Sequence, residues 1–220
     1  MAAMNTPAPA GKPAPPGRPK DMAKRASILT AASKLFVQHG YGGVSMDQIA
    51  AEAGVSKLTV YSHYGDKDSL FAAAVQAHCE RGMPTELFVP APNVPLRVRL
   101  SEIAHAFLAM VMTPEAIAGH RVLCSPHVAS SNLPKMIWDA GPKRINDAFT
   151  ALLMRRIEAG ELEINEPARA AGHFFTLLKG ELHAQAVLGN YCGAGNTQDG
   201  NLDAHIESVV DLFLRAYAKA

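Results

Sequence analysis

The sequence predicts an all-α chain, on three observations. Apolar residues return at helical spacing wherever a period is readable, as in Ile28, Ala32, Leu35 and Phe36, then Leu100, Ile103, Ala104, Phe107, Leu108 and Val111. The same spacing recurs in Ala171, Phe174, Phe175, Leu178 and Leu182 and in Ile206, Val209, Val210, Phe213, Leu214 and Tyr217, whereas no stretch alternates as a strand. Breaks at 40–43, 84–95, 125–134 and 189–201 divide the chain into about nine helices without an internal repeat. With 220 residues, 48% hydrophobic and 19% charged, the chain has the length and composition of a protein with a packed core. Its longest nearly apolar run, Ile103 to Met112, is about half a membrane span, so a soluble protein with no membrane partner is expected. The first residues lack the order of a signal peptide. The three cysteines, Cys79, Cys124 and Cys192, are odd in number and share no metal or redox spacing, which suggests reduced thiols in a cytoplasmic protein.

Residues 1–20 contain eleven Ala or Pro and no acid, and are expected to form a flexible basic arm. It ends in Gly17-Arg18-Pro19-Lys20, where Arg18 has the shape for an A·T-rich minor groove. Residues 1–64 hold seven Lys or Arg against three acids, a net +4, which leaves fourteen against seventeen, a net −3, in the rest. A basic front on an acidic body points to a polyanion for the front alone.

The segment 45–64 reads as two short helices at a sharp angle. Ser45 caps the first with Gln48 completing a capping box, Gly54 ends it, Val55 is buried after the turn, and Ser56 caps the second. Ala50 lets the helices approach and Val60 turns inward, which is the packing requirement of a helix-turn-helix. The outward face of the second helix then holds Lys57, Leu58, Thr59, Tyr61, Ser62 and His63, groups able to reach base edges and phosphates.

Here the chain resembles a known family. Ile49-Ala50-x-x-Ala53-Gly54-Val55-Ser56-Lys57-x-Thr59-Val60-Tyr61-x-His63-Tyr64-x-x-Lys67-Asp68-x-Leu70, preceded by Ala31-Ala32-x-x-Leu35-Phe36-x-x-x-Gly40-Tyr41, is similar to the amino-terminal domain of TetR/AcrR transcriptional regulators over roughly residues 22–72. The resemblance implies a homodimer on a palindromic or semi-palindromic operator, most often a repressor, with a carboxy-terminal domain that senses a small molecule. By position, Lys57, Thr59, Tyr61 and His63 would meet bases and phosphates, and Lys67, at the start of the fourth helix, a phosphate. Leu58 departs from the family's usual small residue; it either touches a thymine methyl or holds the helix off the groove. Gly119-His120-Arg121-Val122-Leu123, Leu133-Pro134, Gly141-Pro142 and Gly180-Glu181-Leu182-His183 resemble the carboxy-terminal domain of the AefR-like branch.

The expected organisation is therefore an arm at 1–20, a DNA-binding domain at 21–82, and a ligand-binding and dimerisation domain at 95–220. In the last, helices at about 167–189 and 202–218 carry stripes that look too wide for one neighbour. This puts Phe175, Leu182, Ile206, Val210, Phe213 and Tyr217 at a two-fold four-helix interface, unless both stripes are consumed inside one subunit. Candidates to line an apolar effector pocket are Phe107, Met110, Met136, Trp138, Phe149, Phe174 and Leu178, with His105, His127 or His183 as polar handles, each of which is also a plausible core residue on its own. Such a pocket suits a hydrophobic or aromatic compound. No cofactor or metal is expected, since His120 and His127 have no Cys or carboxylate at ligand spacing, and the motifs of common enzyme classes are missing. The competing reading is a constitutive or architectural DNA-binding protein without an effector.

Overall fold

A computed structural model describes residues 21–89, 94–129, 131–189 and 199–219, apart from the side chains of 126, 127 and 199–201. Arg18, Cys192 and the His127 side chain lie outside the described residues. Among those described, eleven α-helices and one 3-10 turn follow in order. They are α1 (Met22–His39), α2 (Met46–Glu52), α3 (Lys57–Tyr64), α4 (Lys67–Gly82), the 3-10 turn Thr85–Phe88, α5 (Leu96–Val111), α6 (Pro114–Leu123), α7 (Pro126–Ala129), α8 (Leu133–Ala140), α9 (Pro142–Glu158), α10 (Pro167–Leu188) and α11 (Asp199–Tyr217). The chain is all-α, with one isolated bridge between Leu162 and Ala218.

Helix starts follow the local chemistry. Asp21, Ser45, Ser56, Asp66 and Thr113 each accept a backbone N–H in the first turn that follows, and proline occupies the first turn of α6, α8, α9 and α10. Prolines that start helices, at 114, 126, 134 and 142, are also why the middle of the chain is cut into short pieces.

Two apolar cores result. The first is built by α1–α4, with Ile28, Ile49, Val60 and Leu70 at 0% exposure and the Phe36 and Phe71 rings edge to face at 4.8 Å. The second is built by α5 and α9–α11 around Leu100, Ile103, Phe149, Phe174, Leu178 and Phe213. Val128 of α7 and Leu133 and Ile137 of α8 pack into the first core, so a piece of the carboxy-terminal half holds α4, which α1 also contacts. No stretch of sequence periodicity announces this, because α8 has only eight residues and α7 four.

The stripes expected to face a partner subunit face inward instead. Phe175, Ile206, Val210 and Phe213 are buried in the second core, Tyr217 is half-buried against Phe213 at 4.9 Å, and Leu182 is half-buried. The physical reason is supply: α5 and α9 lie on α10 and α11 and cover Phe175, Ile206, Val210 and Phe213 within one protomer, while Leu182 stays outside that core. Left outside are Leu177 and Leu188 on α10 and Leu212 on α11. The helix expected at 167–189 is also not uniform, since Gly180 sits at φ 39°, ψ −141° and divides α10 at a kink.

Candidate nucleic-acid interface

The capping box at Ser45 is formed. Its Oγ accepts from the Gln48 N–H at 3.2 Å and its own N–H donates to Gln48 Oε1 at 2.8 Å. Gly54 takes φ +65°, a left-handed conformation that a side chain strains, and lets the Val55 N–H return to the Ala50 carbonyl at 3.0 Å. Val55 itself is only half-buried. Ser56 Oγ then accepts from the Thr59 N–H at 3.2 Å and shares a hydrogen bond with Thr59 Oγ1 at 2.8 Å, fixing the first turn of α3. Ala50 and Val60 close the inside of the angle, at 5% and 0% exposure.

Eight residues make α3, and its two faces separate cleanly. Val60, His63 and Tyr64 are buried; Lys57, Leu58, Tyr61 and Ser62 are exposed, with Thr59 between. His63, expected on the DNA-facing side, is thus a correction: its position falls three residues after Val60, on the same inward stripe. Its carbonyl accepts from Arg25 Nη1 at 3.1 Å. The Arg25 guanidinium lies 4.4 Å over the Tyr64 ring while the Tyr64 hydroxyl donates to the Arg25 carbonyl at 2.9 Å, and together they bolt α1 to the end of α3. Sequence reasoning missed Arg25, because contacts across 38 and 39 residues leave no periodic trace.

Two of the expected cations already have partners. Lys57 Nζ is 2.9 Å from Asp47 Oδ2, and that hydrogen bond and charge raise its pKa. Lys67, half-buried at the start of α4, holds its Nζ 4.2 Å over the Tyr41 ring; burial lowers its pKa and the nearby Asp68 acts against that. The Tyr41 hydroxyl donates in turn to Asp68. What is left projecting is a patch of Leu58, Tyr61 and Ser62 flanked by Lys57, carried on a rigid two-helix corner.

Comparison with known proteins agrees with that geometry. Residues 28–74 match the model of bacterial regulatory proteins of the tetR family, and residues 98–219 match the AefR-like transcriptional repressor, C-terminal domain. The chain belongs to the TetR family. Among curated relatives, the transcriptional activator FasR of Mycolicibacterium smegmatis is 39% identical over 91 residues, which is 40% of each chain. The transcriptional repressor SCO4008 of Streptomyces coelicolor is 43% identical over 54 residues, 24% of this chain and 28% of that one. The chain therefore spans well under two thirds of these relatives. Among solved structures, a TetR-family protein from Mesorhizobium loti is 26% identical with a TM-score of 0.73, covering 90% of this chain and 98% of that one. The flavonoid-responsive regulator FrrA is 28% identical with a TM-score of 0.68 over the same shares. The proteins matched are transcriptional regulators, not enzymes.

In this TetR-family chain the residues expected to line an effector pocket do not come together as one lining. Phe107, Met110, Phe149, Phe174 and Leu178 are buried in the second core, where the Phe107 ring meets Phe175 at 4.6 Å and the Phe149 ring meets Phe174 at 4.9 Å. Trp138 is 52% exposed on α8, and Met136 of the same helix is half-buried. His105 is on the surface of α5, its Nε2 3.1 Å from Asp203 of α11 and its Nδ1 2.8 Å from the Ser101 carbonyl. A surface groove of about 430 Å³ lies elsewhere, between 163–170 and 216–218.

His183 meets the ring of His120 edge-on at 5.0 Å, between α10 and α6. Burial, then the His120 and Lys179 charges, push its pKa down to about 4, and burial and Lys179 lower that of His120. A freed imidazole titrates near 6.5, so the unfolded chain binds protons that the folded one refuses, and stability falls as pH drops from about 6.5 toward 4. His105 opposes this: burial disfavours its charge, but the Ser101 carbonyl and the carboxylates of Asp203 and Glu207 outweigh burial and raise its pKa. Its contribution is complete below about 6.5 and is lost as pH rises through the raised value. The expected result is a thermal midpoint lower at pH 5 than at pH 7, with a smaller drop in His183→Gln. A drop unchanged by that substitution would assign the acid sensitivity elsewhere.

Proposed function

We propose that this chain is an operator-binding repressor, acting as a homodimer and released by a hydrophobic or aromatic effector. The observation that carries the reading is the exposed Leu58, Tyr61 and Ser62 face on an α3 whose opposite face is locked to α1, α2 and α4, since a recognition helix needs a fixed frame behind a free face. Lys57 and Lys67 supply phosphate contacts, with the serines at 45 and 56 and Thr59 at the helix starts beside them. Arg18, from the arm, is assigned to the minor groove on its sequence alone. Residues 21–82 bind DNA and 95–220 dimerise and sense. Two copies pair through the exposed leucines of α10 and α11 in a four-helix arrangement. The likeness to a flavonoid-responsive regulator supports an aromatic effector, and α8, lodged against α4, supplies a physical route from the body to the DNA-binding helices.

A second reading is favoured by one observation. The aromatic residues of the body are already in ring contact, so an effector site among them must open before it fills, and a constitutive DNA-binding protein needs no such opening.

The test of DNA reading is affinity on duplexes selected from a random pool, measured at several salt concentrations. Tyr61→Ala is expected to weaken binding roughly 5- to 150-fold with an unchanged thermal midpoint. Asp47→Asn releases Lys57 from its ion pair, and is expected to raise affinity and steepen the slope of log K against log salt by up to about one unit. Unaltered affinity in both variants would argue against α3 as the DNA-contacting element.

A further inference from the structure

We infer that Leu58 reads the C5 methyl group of a pyrimidine, thymine or 5-methylcytosine, at one position of each half-site; the inference rests on α3 being the recognition helix. Leu58 is 78% exposed, the highest value among the exposed large hydrophobic residues described. A lone exposed leucine on a protein surface needs no explanation. This one stands on the first turn of α3, and the N-terminal residues of a recognition helix are the ones that reach base edges.

Its neighbours sharpen the assignment. Lys57 leans to Asp47 at 2.9 Å, and Thr59 donates its amide to Ser56 Oγ and shares a hydroxyl–hydroxyl hydrogen bond with it. Leu58 shares its face with Tyr61 and Ser62, three and four residues on, so a helix laid in the groove on Tyr61 and Ser62 carries Leu58 in with it.

The chemistry then selects the base. A leucine side chain neither donates nor accepts a hydrogen bond, so it cannot pair with guanine N7 and O6, adenine N7 and N6, or the cytosine amino group, and covering them strips their water without replacement. The pyrimidine C5 methyl is the one apolar group that a base edge displays in the major groove. Contact there is favourable and contact with the other edges is unfavourable, which makes the leucine a discriminator rather than a spacer. Burying one methyl corresponds to about a fourfold gain in affinity at a half-site, and to about 15-fold over two.

The test selects duplexes from a random pool with the full chain and with Leu58→Ala, then replaces each thymine of the selected sequence, one symmetric pair at a time, by deoxyuridine. This substitution removes only the methyl. The expected result is one thymine position per half-site whose replacement lowers affinity of the native chain about 15-fold and leaves that of Leu58→Ala unchanged. A second arm puts cytosine and 5-methylcytosine at that position. Recovery with 5-methylcytosine shows that the methyl itself is read from either base, and failure to recover restricts the reading to thymine. Because Leu58 packs against little, Leu58→Ala should keep its thermal midpoint, which separates a lost contact from a lost fold. A selected sequence with no deoxyuridine-sensitive position, or with equal sensitivity in both proteins, overturns the inference while leaving α3 as a DNA reader. A pool from which no sequence is enriched overturns the reading of α3 as well.

Discussion

Glutamate in place of both Leu177 and Leu212 is expected to yield a monomer that keeps its helical content and loses at least about a hundredfold in affinity for a two-half-site duplex. Leu177 and Leu212 are 38% and 55% exposed in one protomer, and Leu188, three turns beyond Leu177, is 76% exposed. On α11, Ala204, Ser208, Leu212 and Ala216 follow at intervals of four and are all exposed, a stripe of small side chains with one leucine that lets a second helix come close. Two such helices from each of two copies make a four-helix contact. Burying a fully exposed leucine is worth about 1.5–3 kcal/mol, and with 38% and 55% of Leu177 and Leu212 left to bury, the four across a two-fold axis supply about 3–6 kcal/mol. Replacing them with carboxylates removes that and adds charges that would be buried without partners, which weakens dimerisation by at least roughly a hundredfold. A monomer keeps one half-site and forfeits the other. Sedimentation gives the mass and fluorescence anisotropy gives the affinity. A variant that remains dimeric places the interface on another face.

The same two helices show how far the sequence was legible. Periodicity located α10 and α11 and their apolar stripes, because a helix that buries one face must carry that face at a period near 3.6. It could not say which neighbour receives the stripe. Phe175 and Phe213 are the most hydrophobic choices for an interface, and for that reason the chain's own α5 and α9 take them first. The exposed stripe Ala204, Ser208, Leu212 and Ala216 of α11 lies among Asp203, Glu207 and Arg215, and hydropathy does not distinguish it from ordinary surface. In the helix-turn-helix the situation is reversed. Ser45, Gly54, Ser56 and Val60 act through contacts within a few residues of themselves, so cap, turn and packing were readable and are all formed. His63 is buried because it stands three residues after Val60 on the inward stripe of α3, whereas the Arg25 contact to its carbonyl comes from 38 residues away and the Lys57 ion pair from Asp47, ten residues away on another helix. Local chemistry is written in the sequence, while long-range pairing is decided by how the helices cross.

Phe149→Ala is expected to destabilise the chain by about 3–5 kcal/mol and to lower its thermal midpoint by roughly 6–20 °C. Phe149 is at 0% exposure, and its ring lies 4.9 Å from Phe174, 5.2 Å from Phe175 and 6.3 Å from Phe213, so truncation leaves a void ringed by phenylalanines that the surrounding helices can only partly close. Trp138→Ala is the contrast: a larger side chain, but half exposed on α8, whose loss should fall near the usual surface range of about 0.5 kcal/mol. The pair decides whether the aromatic residues of the body are a filled core or a preformed pocket. An apolar void cut into a core stays dry and takes up benzene-sized molecules, so a small arene should raise the midpoint of Phe149→Ala and leave that of the native chain unmoved. Equal stabilisation of both proteins would mean that the native core already holds an open aromatic site. An unaltered midpoint in Phe149→Ala would mean that the ring lines free space rather than filling it. If the arene acts only on the variant, an effector of the native chain has to separate these rings to bind among them. Its affinity is then reduced by the fraction of time the core spends closed, so substitutions that loosen the contact between α9 and α10 should tighten effector binding while lowering the thermal midpoint.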